Sequence, residues 1–186
     1  MSESGKRAPG RPLSAESGAA LLDAAYWRLI DMGYDALTVD AIAKAAGAGK
    51  QTLYRRWPSK AALVIEALAK KAAERIDRPK EAAIRSGDLA AFLKAEFAGL
   101  KPYAASLRAL FVDAQSDPRT AEAFREAMLK PRQNALRQIL AAHVADAERR
   151  DALAEAIDGA IWRRLFLREP LDDELARRLA LLAGGR

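Results

Sequence analysis

A chain of 186 residues, 51% hydrophobic and 30% charged, is long enough to bury a core and too apolar to stay disordered. It has no cysteine, which excludes disulfides, thiolate chemistry and cysteine-based zinc sites; its one histidine, His143, leaves little material for a metal cluster. The formal net charge of +6 points towards an acidic partner, and its placement says more than its size. Lys44, Lys50, Arg55, Arg56 and Lys60 follow one another between Asp40 and Glu66 with no acid among them, whereas the charge beyond residue 60 is nearly balanced. No apolar run approaches bilayer-spanning length, and the first residues lack a signal-peptide core. We therefore expect a soluble, cytoplasmic protein with no membrane partner.

Ala, Leu, Glu, Arg and Lys dominate and β-branched residues are scarce, so the expected fold is all-α. Residues 1–13, with Gly5, Pro9, Gly10 and Pro12 among Lys6, Arg7 and Arg11, are expected to be a flexible basic arm. Ser14 is placed to cap a first helix that presents Leu21, Leu22, Ala25, Leu29 and Met32 at 3–4 spacing and stops at Gly33. Thr38 is placed to cap a second helix running to Ala46, with Asp40 favourable in its first turn, and Gly47 breaks it. A third, short helix over about 50–56 stops before Pro58. Ser59 then opens a long fourth helix to about Ile76, and Pro79 is expected to close that region.

Beyond it, the spacing predicts helices over about 88–100, 103–116, 118–144, 151–168 and 173–183. Pro102 and Pro118 fall where helices begin, and Asp117 suits a cap. Pro131 falls inside the 118–144 pattern, where a kink or break is expected. The division that follows is a first module over 14–66 and a larger one over 67–186, with the fourth helix shared between them.

Within the first module, Ile42 and Leu53 supply apolar contacts for two steeply crossing helices. Ala43 is small where the backbones approach, and Gly47 permits the tight turn. That spacing is the helix-turn-helix pattern. On the third helix Gln51, Tyr54 and Arg55 share one exposed stripe, flanked by Lys50 and Thr52, while Leu53 and Trp57 turn inward. Arg and Gln pair with guanine and adenine edges. Tyr54 and Lys60 suit phosphates, as does Thr38 with the amides that follow it. The alternative is a merely solvated basic face. In the arm, Gly10-Arg11-Pro12 resembles the minor-groove Gly-Arg-Pro of AT-hook peptides, with a basic tail as the alternative.

The stretch GYDALTVDAIAKAAGAGKQTLYRRWPSKAAL (33–63), with LLDAA in helix one, resembles the DNA-binding domain of TetR/AcrR-family regulators. AQSDPRTAEAFREAMLKPRQNALRQIL and GAIWRRLFLREPLDDELARRLALL are similar, more loosely, to the C-terminal half of a TetR subgroup. The resemblance implies an all-α fold of about nine helices, working as a homodimer on a double-stranded, palindromic operator. Helix three would enter the major groove, and the last two helices would form a four-helix bundle with their mates. Phosphate roles carry over to Thr38, Tyr54 and Lys60, and base-proximal positions to Lys50, Gln51, Thr52 and Arg55. Two positions depart from the family pattern: Ala48 replaces a larger aliphatic residue, and Gly49 stands where a Ser often caps helix three.

Proteins of this kind usually bind a small effector among the later helices, which shifts the spacing of the two reading heads. Here the candidate lining is Phe97, Phe111, Phe124, Met128, Trp162 and Phe166, with Phe92 nearby in the pattern; ordinary core packing is the alternative for each. Few lone acids lie in apolar surroundings there, so a small hydrophobic effector is expected. Arg163 and Arg164 interrupt an apolar helix, and one of them could meet Asp158 or a partner subunit. His143 is expected at a surface or helix end. The expected function is a repressor released from its operator by an effector, without a cofactor. An all-helical module docking on an acidic protein is the alternative. No nucleophile–base set, paired carboxylates or glycine-rich phosphate loop suggests an enzyme.

Overall fold

The computed structural model describes residues 15–74 and 78–184, and every regular element among them is helical. The basic arm with Arg11, the Ser14 cap and the expected end of helix four at Ile76 lie outside the described residues.

Helix α1 (Ala15–Ala36) loses its helical path at Gly33, whose φ of 75° ends the main run as the sequence predicts. Helices α2 (Val39–Ala45) and α3 (Lys50–Arg56) follow, then α4 (Lys60–Glu74). Ser59 opens α4, its hydroxyl accepting from the amide of Ala62 at 3.1 Å.

Pro79 does not close a region. It is the second residue of α5 (Arg78–Ser86), where the missing N–H has no intrahelical partner to lose. Asp88 caps α6 (Leu89–Leu100) through the amide of Ala91, and a 3₁₀ turn at Lys101–Tyr103 leads into α7 (Ala104–Ser116). Asp117 caps α8 (Pro118–Phe124) through the amides of Arg119 and Thr120 and the hydroxyl of Thr120. Those bonds, the Thr120 hydroxyl first, hold its carboxyl below the usual range.

Pro131 perturbs its helix as expected. A π-helical turn at Arg125–Leu129 joins α8 to α9 (Lys130–Leu140), and the amide of Lys130 reaches back to the carbonyl of Arg125. Proline offers no donor to the carbonyl four residues back, and its ring crowds that group; widening the preceding turn relieves the conflict. α10 (Ala147–Phe166) starts earlier than the periodicity predicts because Asp146 caps it through Arg149, and α11 (Asp173–Leu182) begins behind Asp172 in the same way.

Two apolar cores hold the helices together. One runs from α1–α4 into α7 and α8 and ends on Trp162 and Leu165 of α10. The other joins α5, α6, α9, α11 and the middle of α10 around Phe92 and Leu93. The first core therefore ties the N-terminal helices to the later ones. Polar bonds reinforce that seam: Tyr26 and Tyr103 share a 2.8 Å hydroxyl contact, and the Tyr34 hydroxyl donates to the Asp113 carboxylate. Burial first, and the hydrogen bond to Asp113 second, push the Tyr34 phenol well above its ordinary value.

Candidate nucleic-acid interface

The α2–α3 corner is built from small and apolar residues. Ile42 and Leu53 are fully buried at the crossing, and Ala43 lies beside them. The amide of Ala48 bonds the carbonyl of Ala43 at 2.9 Å, and Gly47 supplies the left-handed backbone (φ 62°) that the turn needs. Thr38 caps α2, its hydroxyl accepting from Ala41 at 3.1 Å. Gly49 precedes α3 without a side-chain cap, so that position is left open as the sequence implies.

Helix α3 divides cleanly into two faces. Leu53 and, just past its end, Trp57 are buried, while Gln51, Tyr54 and Arg55 are exposed along one stripe and Thr52 is half-buried beside it. Tyr54 keeps 55% of its surface, which is unusual for an aromatic and leaves the phenol available to a partner. Lys50 stands exposed at the helix start and pairs with Asp40 of α2 at 2.6 Å, across two side chains that are both well solvated.

Two basic residues of the run serve the scaffold. Arg56 turns away from the stripe: its guanidinium lies over the Trp57 ring, pairs with Glu66 at 3.3 Å and rests against Gly18, where a Cβ would come within 2.3 Å of it. Trp57 donates its indole N–H to the other oxygen of Glu66 at 2.7 Å. Glu66 is thus a clamp that sequence reading did not assign, since its partners lie nine and ten residues back on another helix. Lys60 donates to the carbonyl of Tyr34 at 2.8 Å with its ammonium over the Tyr34 ring. It ties the end of α1 to the start of α4 while lying half-buried beside the stripe. Among the described residues no cluster of three metal-type ligands occurs.

Comparison with known proteins matches this architecture in both halves. Residues 21–67 match the model of bacterial regulatory proteins of the tetR family, and residues 85–183 match a tetracyclin repressor-like C-terminal domain. The chain is 31% identical to the DNA-binding transcriptional repressor TetR of Mycobacteroides abscessus, over 87% of this chain and 88% of that one. It is 28% identical to the HTH-type transcriptional regulator YdeS of Bacillus subtilis, over 94% and 91%. The crystal structure of the TetR family regulator SCO0332 superposes with a TM-score of 0.75 at 28% identity, over 92% and 99% of the two chains. The chain belongs to the TetR family. It is a transcriptional regulator with a DNA-binding helix-turn-helix.

In this TetR-family chain the aromatic side chains named from the sequence do not all meet. Phe111, Phe124, Trp162 and Phe166 form one contiguous cluster, with Phe111 and Phe166 at 4.2 Å and Phe124 and Trp162 at 5.5 Å between ring centres, and Met128 packs against the same core. Phe97 and Phe92 belong to the other core. A ligand-sized cleft lies elsewhere, between α4 and α8. Arg163 and Arg164 do not meet Asp158: Arg163 grips Glu169 with two bonds of 2.8 and 2.9 Å, and Arg164 bonds the carbonyl of Pro170. Asp158 faces Arg132 at 3.1 Å instead. His143, half-buried at a helix end, bonds the carbonyl of Gly87 at 2.7 Å and ties the end of α9 to the α5–α6 turn.

Proposed function

We propose that this TetR-family regulator is a homodimeric repressor that reads a palindromic operator with α3 and leaves it when a small, largely apolar effector binds. The observation that carries the reading is the exposed Gln51–Tyr54–Arg55 stripe on a helix whose other face is locked by Leu53, Trp57 and Glu66. Arg55 and Gln51 supply bidentate donors and acceptors for base edges, with Lys50 and Thr52 at their flank. Tyr54, Thr38 and the remaining ammonium donors of Lys60 take phosphates, and the arm carries Arg11 to the adjacent minor groove. Residues 14–66 act as the reading unit, and residues 67–186 carry dimerisation and effector response.

Dimerisation is supported by Leu167, Leu181 and Leu182, which are more than half exposed on and just beyond the last two helices, apolar surface that a monomer leaves wet. The repressor reading is supported by the repressor from Mycobacteroides abscessus, similar over most of both chains. The Phe111–Phe124–Trp162–Phe166 cluster with Met128 is the proposed apolar lining for the effector, with Phe97 beyond it in the second core.

The test is a footprint on the promoter beside the protein's own gene, repeated with candidate effectors. A protected palindrome that opens when an effector is added is expected. Absence of a protected site at moderate salt, together with capture of an acidic protein, would favour the alternative of a protein-docking module.

A further inference from the structure

Asp40 is the only acid between Asp35 and Glu66, and it stands in the first turn of α2, at the edge of the basic reading surface. Its carboxylate meets the ammonium of Lys50, the first residue of α3, at 2.6 Å, and the two side chains are 60% and 59% exposed. An ion pair so well solvated adds little to stability. Towards DNA the carboxylate is a cost: it repels phosphates and cancels one of the cations that would displace counterions. Neither the fold nor general DNA affinity therefore accounts for Asp40. What it adds beside Lys50, which carries donors alone, is an acceptor one hydrogen-bond length away.

That separation has a counterpart in the major groove. A G·C pair shows there the guanine N7 and O6 acceptors and then the cytosine N4 donor. O6 and N4 bond each other and so lie about 2.9 Å apart. A donor and an acceptor at 2.6 Å can run alongside that bond, with Lys50 on N7 and O6 and Asp40 on the groove-facing N4 hydrogen. An A·T pair presents acceptor, donor, acceptor, which leaves the ammonium one acceptor where G·C offers two.

We propose that Asp40 and Lys50 act as one unit that reads a single G·C pair in each half of the operator, with Asp40 fixing the cytosine. This inference rests on the reading role of α3 and adds to it a residue of α2 and a named base pair.

The experiment selects bound duplexes from a random pool with the full chain and with Asp40→Ala, an exposed position at which alanine suits the helix. The parent is expected to return half-sites holding a G·C pair whose identity loosens in the Asp40→Ala pool while the other positions stay. The selected duplex is then remade with N4-methylcytosine at that pair, which keeps Watson–Crick pairing and replaces the groove-facing hydrogen with a methyl group. Parent affinity should fall about ten-fold, the scale of one base contact, and Asp40→Ala should bind both duplexes equally. In the same way 7-deazaguanine, which lacks N7, should weaken the parent and leave Lys50→Met unaffected. A uniform change in affinity across all sequences in Asp40→Ala, with the pair's identity kept, overturns the inference, as does an equal response of the parent and Asp40→Ala to N4-methylcytosine. Either result leaves the reading role of α3 standing. Enrichment of no sequence by a chain that circular dichroism shows to be folded overturns that role and this inference with it.

Discussion

The α2–α3 corner and the middle of the second core handle charge in opposite ways. At the corner, Gln51, Tyr54 and Arg55 face solvent while apolar residues hold the helix from behind. In the second core the charges are inside: Arg132 on α9 is 8% exposed, between Glu96 of α6 at 3.4 Å and Asp158 of α10 at 3.1 Å, with Lys80 of α5 beside Glu96 at 2.5 Å and the Trp162 ring under the guanidinium. These contacts bring opposite charges together without good hydrogen-bond alignment at Arg132, and burial raises the Asp158 carboxyl despite its cationic neighbour. Burying charge of this kind adds little net stability over an apolar core, but removing one member leaves the others stranded. The same residue types therefore signal recognition when they line a solvent-facing helix, and inter-helix registration when they converge inside.

The largest expected effect comes from breaking the inner set. Arg132→Ala leaves Glu96 and Asp158 buried near one another without a shared cation, and urea unfolding should show a loss of about 3–5 kcal/mol. Arg132→Met, which fills the volume, should lose less if Glu96→Gln and Asp158→Asn accompany it. Equal losses in the single and triple variants would show that packing, not charge, is at work.

Next comes the seam between the halves. Tyr34→Phe removes the bond to Asp113 and should cost about 2 kcal/mol, the range for a hydrogen bond to a charged acceptor. The Tyr34 pKa is raised in the folded state, so its contribution is complete below the ordinary phenol value and is lost as pH climbs above it, because the unfolded chain ionises first. Tyr34→Phe should therefore flatten the alkaline limb of stability against pH. An unchanged limb would remove Tyr34 as its source.

The smallest change sits at the open cap. Gly49→Ser offers the first turn of α3 a side-chain acceptor where none is present, and should raise the thermal midpoint by an amount equivalent to a few tenths of a kcal/mol. A loss of stability would mean that the extended backbone at Gly49 does not accept the serine rotamer.

The corner was readable from sequence almost residue by residue because its determinants are local. Thr38, Gly47, Gly49 and Pro58 act on their immediate neighbours, and α3 begins and ends where they imply. Pro79 misled because a proline reads the same as a terminator and as a first-turn residue, and the choice depends on what α5 packs against. The roles of Glu66, Lys60 and Arg132 were not legible for a different reason: each is fixed by partners from other helices, and no periodicity within one segment encodes them. Phe97 shares its residue type and helical spacing with Phe111 and Phe124, yet it lies in a different core. Aromatic pattern marks burial and does not say which core receives it.

The most direct measurement on the proposed role of α3 compares Arg55→Ala with the parent protein on its own promoter fragment and on unrelated DNA, across a salt series. The expected result is a loss of about 1–3 kcal/mol on the promoter and little change on unrelated DNA, with both proteins dimeric and equally stable, since Arg55 is exposed. Parent affinity should fall steeply with salt as phosphate contacts release counterions. Equal promoter affinity for Arg55→Ala and the parent would contradict a base-reading role for the exposed face of α3.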